Sequence, residues 1–313
     1  MEPSPEPEGV EVRLDPEGQL LDKRAAHGLD LRALYKRLVA ARLLDLRLGR
    51  LGLPMWAGSA GEEAVTVLAA TLAGPEDWLY PGVRDVALAP IRGMDLDEFV
   101  QQVLGTSYNG RPGAVAAADL GIAHAPETLG LQLALAAGQA HAQKLAGSGR
   151  MTAALFGEGL TTTGMFHESV ALAVTCDLPL VFICKSALWA EGAPVEAGLL
   201  GDSVTERVKA CGMWSRRVDG ADVVAVYAAI DQAFKRARDG RGPGLVEAVV
   251  TRMEQAAEVP AHRDPIERLR RHLDREKSWT PTFQDVIEAE VRGQLERAFG
   301  HALRQHGSQQ EAT

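Results

Sequence analysis

A carboxylate between two glycines is the first feature of this sequence that could do chemistry. In LFGEGLTTTGMFHES (155–169), Glu158 lies between Gly157 and Gly159, after an apolar run and before a helical pattern. Parallel α/β proteins present cation-binding and phosphate-binding groups in such turns, at the carboxyl edge of the sheet. Lys185 directly follows a second apolar run, LPLVFIC (178–184). The spacing therefore predicts that Glu158 and Lys185 come from adjacent strand ends.

Three roles are open to Glu158. It could be a metal ligand, the partner of Lys185 in an ion pair, or a solvated turn residue. Ion pairs are common, whereas Mg²⁺ demands near-octahedral oxygen geometry. We therefore predict the Glu158–Lys185 pair, in which the ammonium offsets the carboxylate and no metal is needed.

The elements that position these residues are predicted from the alternation of apolar runs and helical patterns. The expected strands cover 151–156, 178–184 and 243–252, and the expected helices cover 130–147, 163–176, 203–211 and 221–239. Apolar strands separated by helices are typical of a parallel sheet that is buried on both faces. The predicted fold class is α/β, a parallel sheet with helices on both faces.

The two ends of the chain differ from this central part. Residues 1–25 are rich in Pro, Glu and Gly and lack periodicity, which predicts an extended arm. Helices are expected at 29–51 and 58–74, within an α/β domain that covers 26–257. Residues 258–313 are predicted to form a C-terminal helical extension with helices at 264–275 and 283–305.

Composition limits the classes of partner. The 313 residues carry a net charge of −9, whereas a broad nucleic-acid footprint requires a basic face. The sequence has no apolar run of membrane-spanning length, and its first residues lack the basic and apolar regions of a signal peptide. We predict a cytoplasmic protein that binds neither nucleic acid nor a membrane.

Several segments, in the same order, resemble the α subunit of the thiamine-diphosphate-dependent first component of 2-oxo-acid (pyruvate and branched-chain) dehydrogenase complexes. They are LYKRLVAARLLDLRL, GEEAV, YPGVRD, GMDLDEF, FGEGLTTTGMFHESVALA, DLPLVFIC, RRVDGADVVAVYAAIDQAFKRARDGRGPGLVEA and DPIERLRRHL, within residues 25–305. The resemblance implies a thiamine-diphosphate-binding fold. It also implies an oligomer, formed with further copies or with a β-like subunit, because the family buries large faces beside the cofactor.

The cofactor positions of this family carry other residues here. Its Gly-Asp-Gly signature corresponds to Gly157-Glu158-Gly159, followed by Leu160, and its paired asparagines correspond to Ser186-Ala187. In the family the Asp and the second Asn hold the metal that bridges the diphosphate. The other positions that the resemblance assigns to the cofactor region are Arg84 and Asp85, which are kept, Arg111, Leu129, Trp189 in place of a Tyr, and Ala256 in place of a His.

These departures together predict a degraded site for thiamine diphosphate and Mg²⁺. The preferred interpretation is a non-catalytic α-like subunit with a structural or regulatory role and no cofactor. One alternative is a working α subunit that binds thiamine diphosphate and Mg²⁺ in an altered way. With a β subunit, which supplies the family's activating glutamate, it would oxidatively decarboxylate a 2-oxo acid onto a lipoyl acceptor. A second alternative is a pocket that holds another small anion near Arg84.

The remaining charged candidates have simpler alternatives. Arg84 and Arg111 suit phosphate binding, but ion pairs are favoured because their family neighbours are lost. His167 and Glu168 lie inside a predicted helix, which favours packing or an interface over catalysis. Two further candidates, Glu254 and His262, fall near the family's catalytic region but out of register.

Overall fold

The structure is a computed structural model that describes residues 9–52, 57–105, 115–126, 128–187, 189–190, 193–194, 203–254 and 259–310. Its strands are β1 (Trp78–Tyr80), β2 (Thr152–Gly157), β3 (Leu180–Ala187), β4 (Trp189–Ala190), β5 (Ala193–Pro194), β6 (Trp214–Asp219) and β7 (Gly244–Val250). Its α-helices are α1 (Leu31–Gly49), α2 (Glu63–Leu72), α3 (Leu88–Ile91), α4 (Leu96–Gly105), α5 (Leu131–Leu145), α6 (Gly164–Thr175), α7 (Val204–Ala210), α8 (Val223–Arg238), α9 (Pro265–Arg275) and α10 (Pro281–Gln310).

Five of these strands form a parallel sheet in the order β1-β2-β3-β7-β6, while β4 and β5 pair as a short antiparallel ribbon. The predicted parallel α/β fold is confirmed. The segment SRRVDG, which carried no strand assignment, belongs to edge strand β6. In the register of β2 and β3, Gly157 lies opposite Lys185.

The two faces of the sheet are covered by different helices, as β3 illustrates. Val181 and Ile183 join a core formed with residues of α1, α2 and α8. Phe182 and Cys184 point the other way, into a core formed with residues of α5 and α6. Successive side chains of a strand alternate between faces, so a strand that is covered on both sides must be apolar at every position. This constraint explains the uninterrupted apolar run of β3.

Side-chain caps fix where several helices begin. The Thr163 hydroxyl accepts a hydrogen bond from the backbone N–H of Phe166 and caps α6. Asp222 accepts bonds from the backbone N–H groups of Val224 and Ala225 and caps α8. Such caps satisfy amide groups that have no partner inside the helix.

The described part of the N-terminal arm lies along the outer edge of β6. Glu11 forms a parallel bridge with Val218, and Leu14 is fully buried. The Asp222 carboxylate accepts hydrogen bonds from the backbone N–H groups of Arg13, at 2.5 Å, and Leu14, at 2.7 Å. This segment therefore covers an edge strand that would otherwise present unpaired backbone groups, and it then turns back on itself, with an antiparallel bridge between Leu14 and Leu20.

Two C-terminal helices complete the fold. Helix α9 packs on α1, and α10 packs on α1 and α4. Among the described residues, none of the helices is both long enough and apolar enough to cross a membrane.

Candidate functional site

Charged side chains from four strand ends and from the start of one helix meet at the carboxyl edge of the sheet. Asp85, Glu158 and Arg252 follow β1, β2 and β7, Lys185 lies near the end of β3, and Glu62 directly precedes α2. We call these five residues the edge cluster. Four of them are buried, and the side chain of Arg252 is 12% exposed. Ligands of open parallel sheets bind at this edge, so the cluster lies where chemistry is expected.

The ammonium of Lys185 lies between two carboxylates. Its Nζ is 2.7 Å from Oε2 of Glu62 and 2.8 Å from Oδ1 of Asp85, and the side chain is 2% exposed. Burial by itself lowers the pKa of a lysine, but the two carboxylates outweigh it and raise the pKa of Lys185 above its ordinary value. Lys185 is therefore charged at neutral pH.

Glu158 has a different partner from the one predicted. Its Oε1 and Oε2 accept hydrogen bonds from Nη1 and Nη2 of Arg252, at 3.2 and 3.0 Å, and Oε2 also accepts the backbone N–H of Ala187 at 3.1 Å. The predicted Glu158–Lys185 ion pair is wrong. Both residues do lie at the same edge of the sheet, but each has its own counter-charge.

Strand alternation explains this difference. Lys185 follows Val181 and Ile183 at two-residue intervals, so it points to the face of the sheet that α2 covers. Glu158 follows Gly157, the residue opposite Lys185, but it begins the turn 158–162, so the alternation that directs Lys185 does not extend to its side chain. Neighbouring strand ends therefore do not guarantee contact between their side chains.

Arg252 and Glu62 join the two halves of the edge cluster. Nε of Arg252 donates to Oε1 of Glu62 at 2.9 Å. The five side chains thus form one line of consecutive contacts in which acidic and basic residues alternate, in the order Asp85, Lys185, Glu62, Arg252, Glu158. Burial raises the pKa of a glutamate, but Lys185 and Arg252 outweigh it at Glu62 and lower its pKa. All three carboxylates therefore have cationic partners within the chain.

A tight turn before α2 brings this helix to the cluster. Helix α2 begins at Glu63, five residues later than expected, because residues 59–62 form a turn. Gly61 has φ +96°, and a Cβ built there would lie 1.9 Å from the carbonyl oxygen of Thr251. Only glycine fits this backbone and this approach. The turn is also joined to the segment after β7 by a hydrogen bond from Met253 N–H to the carbonyl of Ala60, at 3.0 Å.

A second buried acid, Asp45 of α1, supports the same turn. Its carboxylate accepts the backbone N–H of Ser59 at 3.0 Å. Burial raises the pKa of Asp45 to about 6, and the nearby charges of Glu254 and Glu63 add to the increase, although the bond from Ser59 opposes it. This carboxyl group titrates close to neutral pH.

The edge cluster forms one wall of a cavity of about 240 Å³. Arg84 also contacts the cavity; its Nη1 donates to the carbonyl of Gly58, and it forms no ion pair with any described carboxylate. Gln132 of α5 is 6% exposed and lines the cavity, and its side-chain amide has no hydrogen-bond partner among the described residues. The remaining lining residues are Pro81, Gly82, Val83, Pro126, Leu129, Phe156, Gly157, Gly159 and Leu160.

The other predicted site residues fall into three groups. Gly157, Gly159 and Leu160 line the cavity as the resemblance implied, and Leu129 lies at its rim, 62% exposed. Ala187 is buried and contacts Glu158 only through its backbone N–H. Four further candidates do not line the cavity: His167 and Glu168 are exposed on α6, Glu254 lies against Gly58, and His262 is in the turn 261–263. Arg111, Ala256 and the side chain of Trp189 lie outside the described residues.

Three residues of the site were missed from the sequence. Glu62 falls inside the expected helix 58–74 and Arg252 ends the expected strand 243–252, but neither is a predicted site residue. Their signal is available, because a charge at the carboxyl end of every parallel strand points to the same edge. Gln132 carries no such signal, since a glutamine within a helix is usually on the surface.

These residues fit a magnesium–diphosphate group poorly. Mg²⁺ needs oxygen ligands at ~2.0–2.1 Å in near-octahedral geometry. Both oxygens of Glu158 already accept hydrogen bonds, and position 187 offers no side-chain oxygen. Lys185 and Arg252 also place two positive charges where a dication would need to approach. Within the described ranges, no group of three or more His, Cys, Asp or Glu side chains is arranged to hold a metal.

A parallel sheet that is covered by helices on both faces, with a charged pocket at its carboxyl edge, defines an open α/β protein whose pocket lies where such sheets bind their ligands. Comparison with a model of the family described as "Dehydrogenase E1 component" matches residues 34–310. This chain belongs to that family, and the resemblance stated from the sequence is confirmed.

Relatives include α subunits of several named enzymes. The chain is 31% identical over 280 residues to a 3-methyl-2-oxobutanoate dehydrogenase subunit alpha of Mycobacterium tuberculosis, covering 84% of this chain and 75% of that protein. It is 29% identical over 315 residues to a Bacillus cereus pyruvate dehydrogenase E1 component subunit alpha, covering 92% and 83%. An Arabidopsis thaliana mitochondrial 2-oxoisovalerate dehydrogenase subunit alpha 2 is 28% identical over 297 residues, and the chain spans only 62% of its length.

The charge contacts of Lys185 make its replacement costly. In Lys185→Met the apolar stem is kept, but Glu62 and Asp85 lose their shared counter-charge in a buried place. We expect the free energy of unfolding, measured by urea denaturation, to fall by on the order of 3 kcal/mol. The matched control is Lys209→Met, which removes an exposed pair with Glu206 and should cost less than ~1 kcal/mol.

A double-mutant cycle separates the observed partner from the predicted one. Adding Glu62→Gln to Lys185→Met should restore part of the lost stability, because it removes one of the two buried carboxylates that contacted Lys185 and leaves Arg252 paired with Glu158. Adding Glu158→Gln should restore less, because Glu158 pairs with Arg252. A larger coupling free energy for Glu158 than for Glu62 contradicts this assignment.

The raised pKa of Asp45 predicts a pH dependence. An acid whose pKa is higher in the folded state contributes stability below its ordinary pKa, and that contribution is lost as pH rises through about 6. Asparagine can still accept the Ser59 N–H bond without a charge. The unfolding free energy of Asp45→Asn minus that of the wild type should therefore increase between pH 4 and pH 7, by on the order of 2 kcal/mol.

The control for this measurement is Asp274→Asn, which changes an exposed acid of α9. Its stability difference from the wild type should stay nearly constant over the same range of pH. A difference for Asp45→Asn that is equally flat refutes the proposed titration.

Proposed function

We propose that this chain is a non-catalytic α-type subunit of the dehydrogenase E1 family, with a degraded site for thiamine diphosphate and Mg²⁺. Its role is structural or regulatory, in an assembly with further copies or with a β-like chain. The observation that carries this proposal is the pairing within the edge cluster. Each carboxylate at the family's cofactor position has a cationic partner supplied by the chain itself.

The chemistry of the cluster supports a stabilising role. Asp85 holds Lys185 and also accepts hydrogen bonds from Oγ1 of Thr66, at 2.6 Å, and from the N–H of Gly82, at 2.9 Å. These contacts join β1, β3 and α2 without an external ion. A dication that entered here would separate at least one ion pair, and the cation released from it would stay buried near the dication.

The alternative is a working α subunit with an altered cofactor site. The observation in its favour is that Arg84, Asp85, Gly157 and Gly159 still line the cavity. The named relatives also belong to 2-oxo-acid dehydrogenases. This alternative requires Arg252 to release Glu158, so its cofactor affinity has to offset the loss of that buried pair.

Assembly is the second part of the proposal. Helices α5 and α6 expose large apolar side chains: Leu135 is 47% exposed, Leu145 79% and Leu172 41%. Exposed apolar groups on neighbouring helices favour an interface with another chain. The cytoplasmic location and the domain boundaries near residues 25 and 257 stay predictions that accompany this proposal.

Titration calorimetry with thiamine diphosphate and Mg²⁺ tests the cofactor part. We expect no binding at micromolar ligand, for the chain alone and for the chain mixed with a β-type subunit, because the carboxylates are already paired. The related 3-methyl-2-oxobutanoate dehydrogenase subunit alpha of Mycobacterium tuberculosis is titrated in parallel for comparison. Micromolar binding to this chain overturns the proposal in favour of the working subunit. A variant with Glu158→Asp and Ala187→Asn, which restores two family ligands, should bind more tightly than the wild type.

Light scattering at low micromolar concentration tests the assembly part. We expect a mass of at least two chains of 33.5 kDa, or a complex with a β-type subunit, with an interface above ~1,000 Å² in total. Leu135→Glu with Leu172→Glu should lower the measured mass, whereas Val286→Glu on α10, 58% exposed, should not. A monomer mass in both the single and the mixed sample contradicts assembly.

A further inference from the structure

The cavity beside the edge cluster has hydrogen-bond donors that the protein does not use. Gln132 is 94% buried, lines the cavity and has no partner for its amide among the described residues. Its amide is not among the fully enclosed atoms without a partner, so it faces the open space of the cavity, where a ligand or solvent can accept or donate the missing hydrogen bonds. The guanidinium of Arg84 uses Nη1 to hold the carbonyl of Gly58 and forms no ion pair with a described carboxylate.

The charges around the cavity select the charge of that ligand. Glu62, Asp85 and Glu158 are matched against Lys185 and Arg252, which leaves one negative charge. Arg84 balances it, so the cavity wall is neutral as a whole. A diphosphate would add several negative charges with no dication to offset them. A ligand with one negative charge leaves a smaller excess, and Arg84, which forms no ion pair with a described carboxylate, has a guanidinium placed to hold it.

The apolar residues of the cavity wall indicate that the uncharged part of the ligand is apolar. Phe156 and Leu160 are buried and line the cavity, and Leu129 lies at its rim. Apolar walls with a few convergent polar groups are typical of sites for small organic molecules. The planar guanidinium of arginine matches a carboxylate in shape, and it binds such groups more strongly than neutral ones.

We propose that this cavity binds a short aliphatic monocarboxylate, with its carboxylate on Arg84 and Gln132 and its chain against Phe156 and Leu160. This inference rests on the proposed function, because it requires a pocket that is free of thiamine diphosphate. It also deepens that function, since it makes the pocket a place where a small acid can regulate the subunit.

The test is calorimetry on the full chain with butanoate and with butanamide, which have nearly the same shape but differ in charge. We expect butanoate to bind more tightly than butanamide by on the order of tenfold or more, because an ion-assisted hydrogen bond is lost with the amide. Inorganic phosphate, and thiamine diphosphate with Mg²⁺, are run in parallel. Equal affinities for butanoate and butanamide overturn the proposal.

Substitutions of the lining residues test whether the ligand binds in this cavity. Arg84→Gln should weaken butanoate binding by on the order of tenfold, and Gln132→Leu should also weaken it. Arg297→Gln, at an exposed position of α10, should leave the affinity unchanged. Melting temperatures without ligand show whether each variant folds. If Arg84→Gln does not fold, Gln132→Leu is the variant that tests the site, because the Gln132 amide makes no hydrogen bond within the described chain and its loss should not disturb the fold.

The outcomes separate this inference from the proposed function. Absence of both butanoate and thiamine diphosphate binding refutes the inference and leaves the non-catalytic function intact. Micromolar binding of thiamine diphosphate with Mg²⁺ refutes both. Butanoate binding that Arg84→Gln and Gln132→Leu leave unchanged refutes the assigned site, whereas binding that both variants weaken supports it.

Discussion

The buried ammonium of Lys185 between Glu62 and Asp85 is the contact on which the carboxyl edge of the sheet depends. A lone charge at this depth would be strongly unfavourable, so the three groups must stay together. They come from β3, from the turn before α2 and from the segment after β1. Through Glu62 the same contact extends to Arg252 and Glu158, which follow β7 and β2. One network of charges thus fixes four neighbouring strand ends and a helix relative to one another.

The start of α2 is the point where this network meets the helical layer. Glu62 and Glu63 are adjacent, yet Glu62 contacts Lys185 and Arg252 at the sheet, whereas Glu63 pairs with Arg42 of α1. Arg42 also reaches Asp264, the cap of α9, at 3.1 Å. Acidic groups at the N-terminus of a helix are stabilised by its dipole, which suits α2 to this position. Two consecutive glutamates therefore connect the sheet edge with the helices that cover it.

The same arrangement explains why a pocket can persist beside a closed set of ion pairs. The edge cluster satisfies its own charges, so the fold needs no ion at this place. Arg84 and Gln132 lie outside those pairs and keep donors directed at the cavity. Under the function proposed above, the pocket retains a shape and a single cation that suit a different, smaller ligand.

Much of the fold was determined by local properties of the sequence. The nearly continuous apolar runs of β2, β3 and β7 indicated strands of a doubly covered parallel sheet, because strands that are covered on one face only alternate between apolar and polar residues. The gathering of Glu158 and Lys185 at one edge follows from the same rule. The partners of these residues were decided by the tertiary structure. Alternation directs Lys185 toward α2, and only the packing of α2, through the Gly61 turn, brings Glu62 within 2.7 Å of it. Arg252 reaches Glu158 because both lie beyond the ends of their strands, where no local pattern predicts side-chain direction. Ion pairing acts over a few ångströms, whereas periodicity in a sequence specifies only which face a side chain occupies.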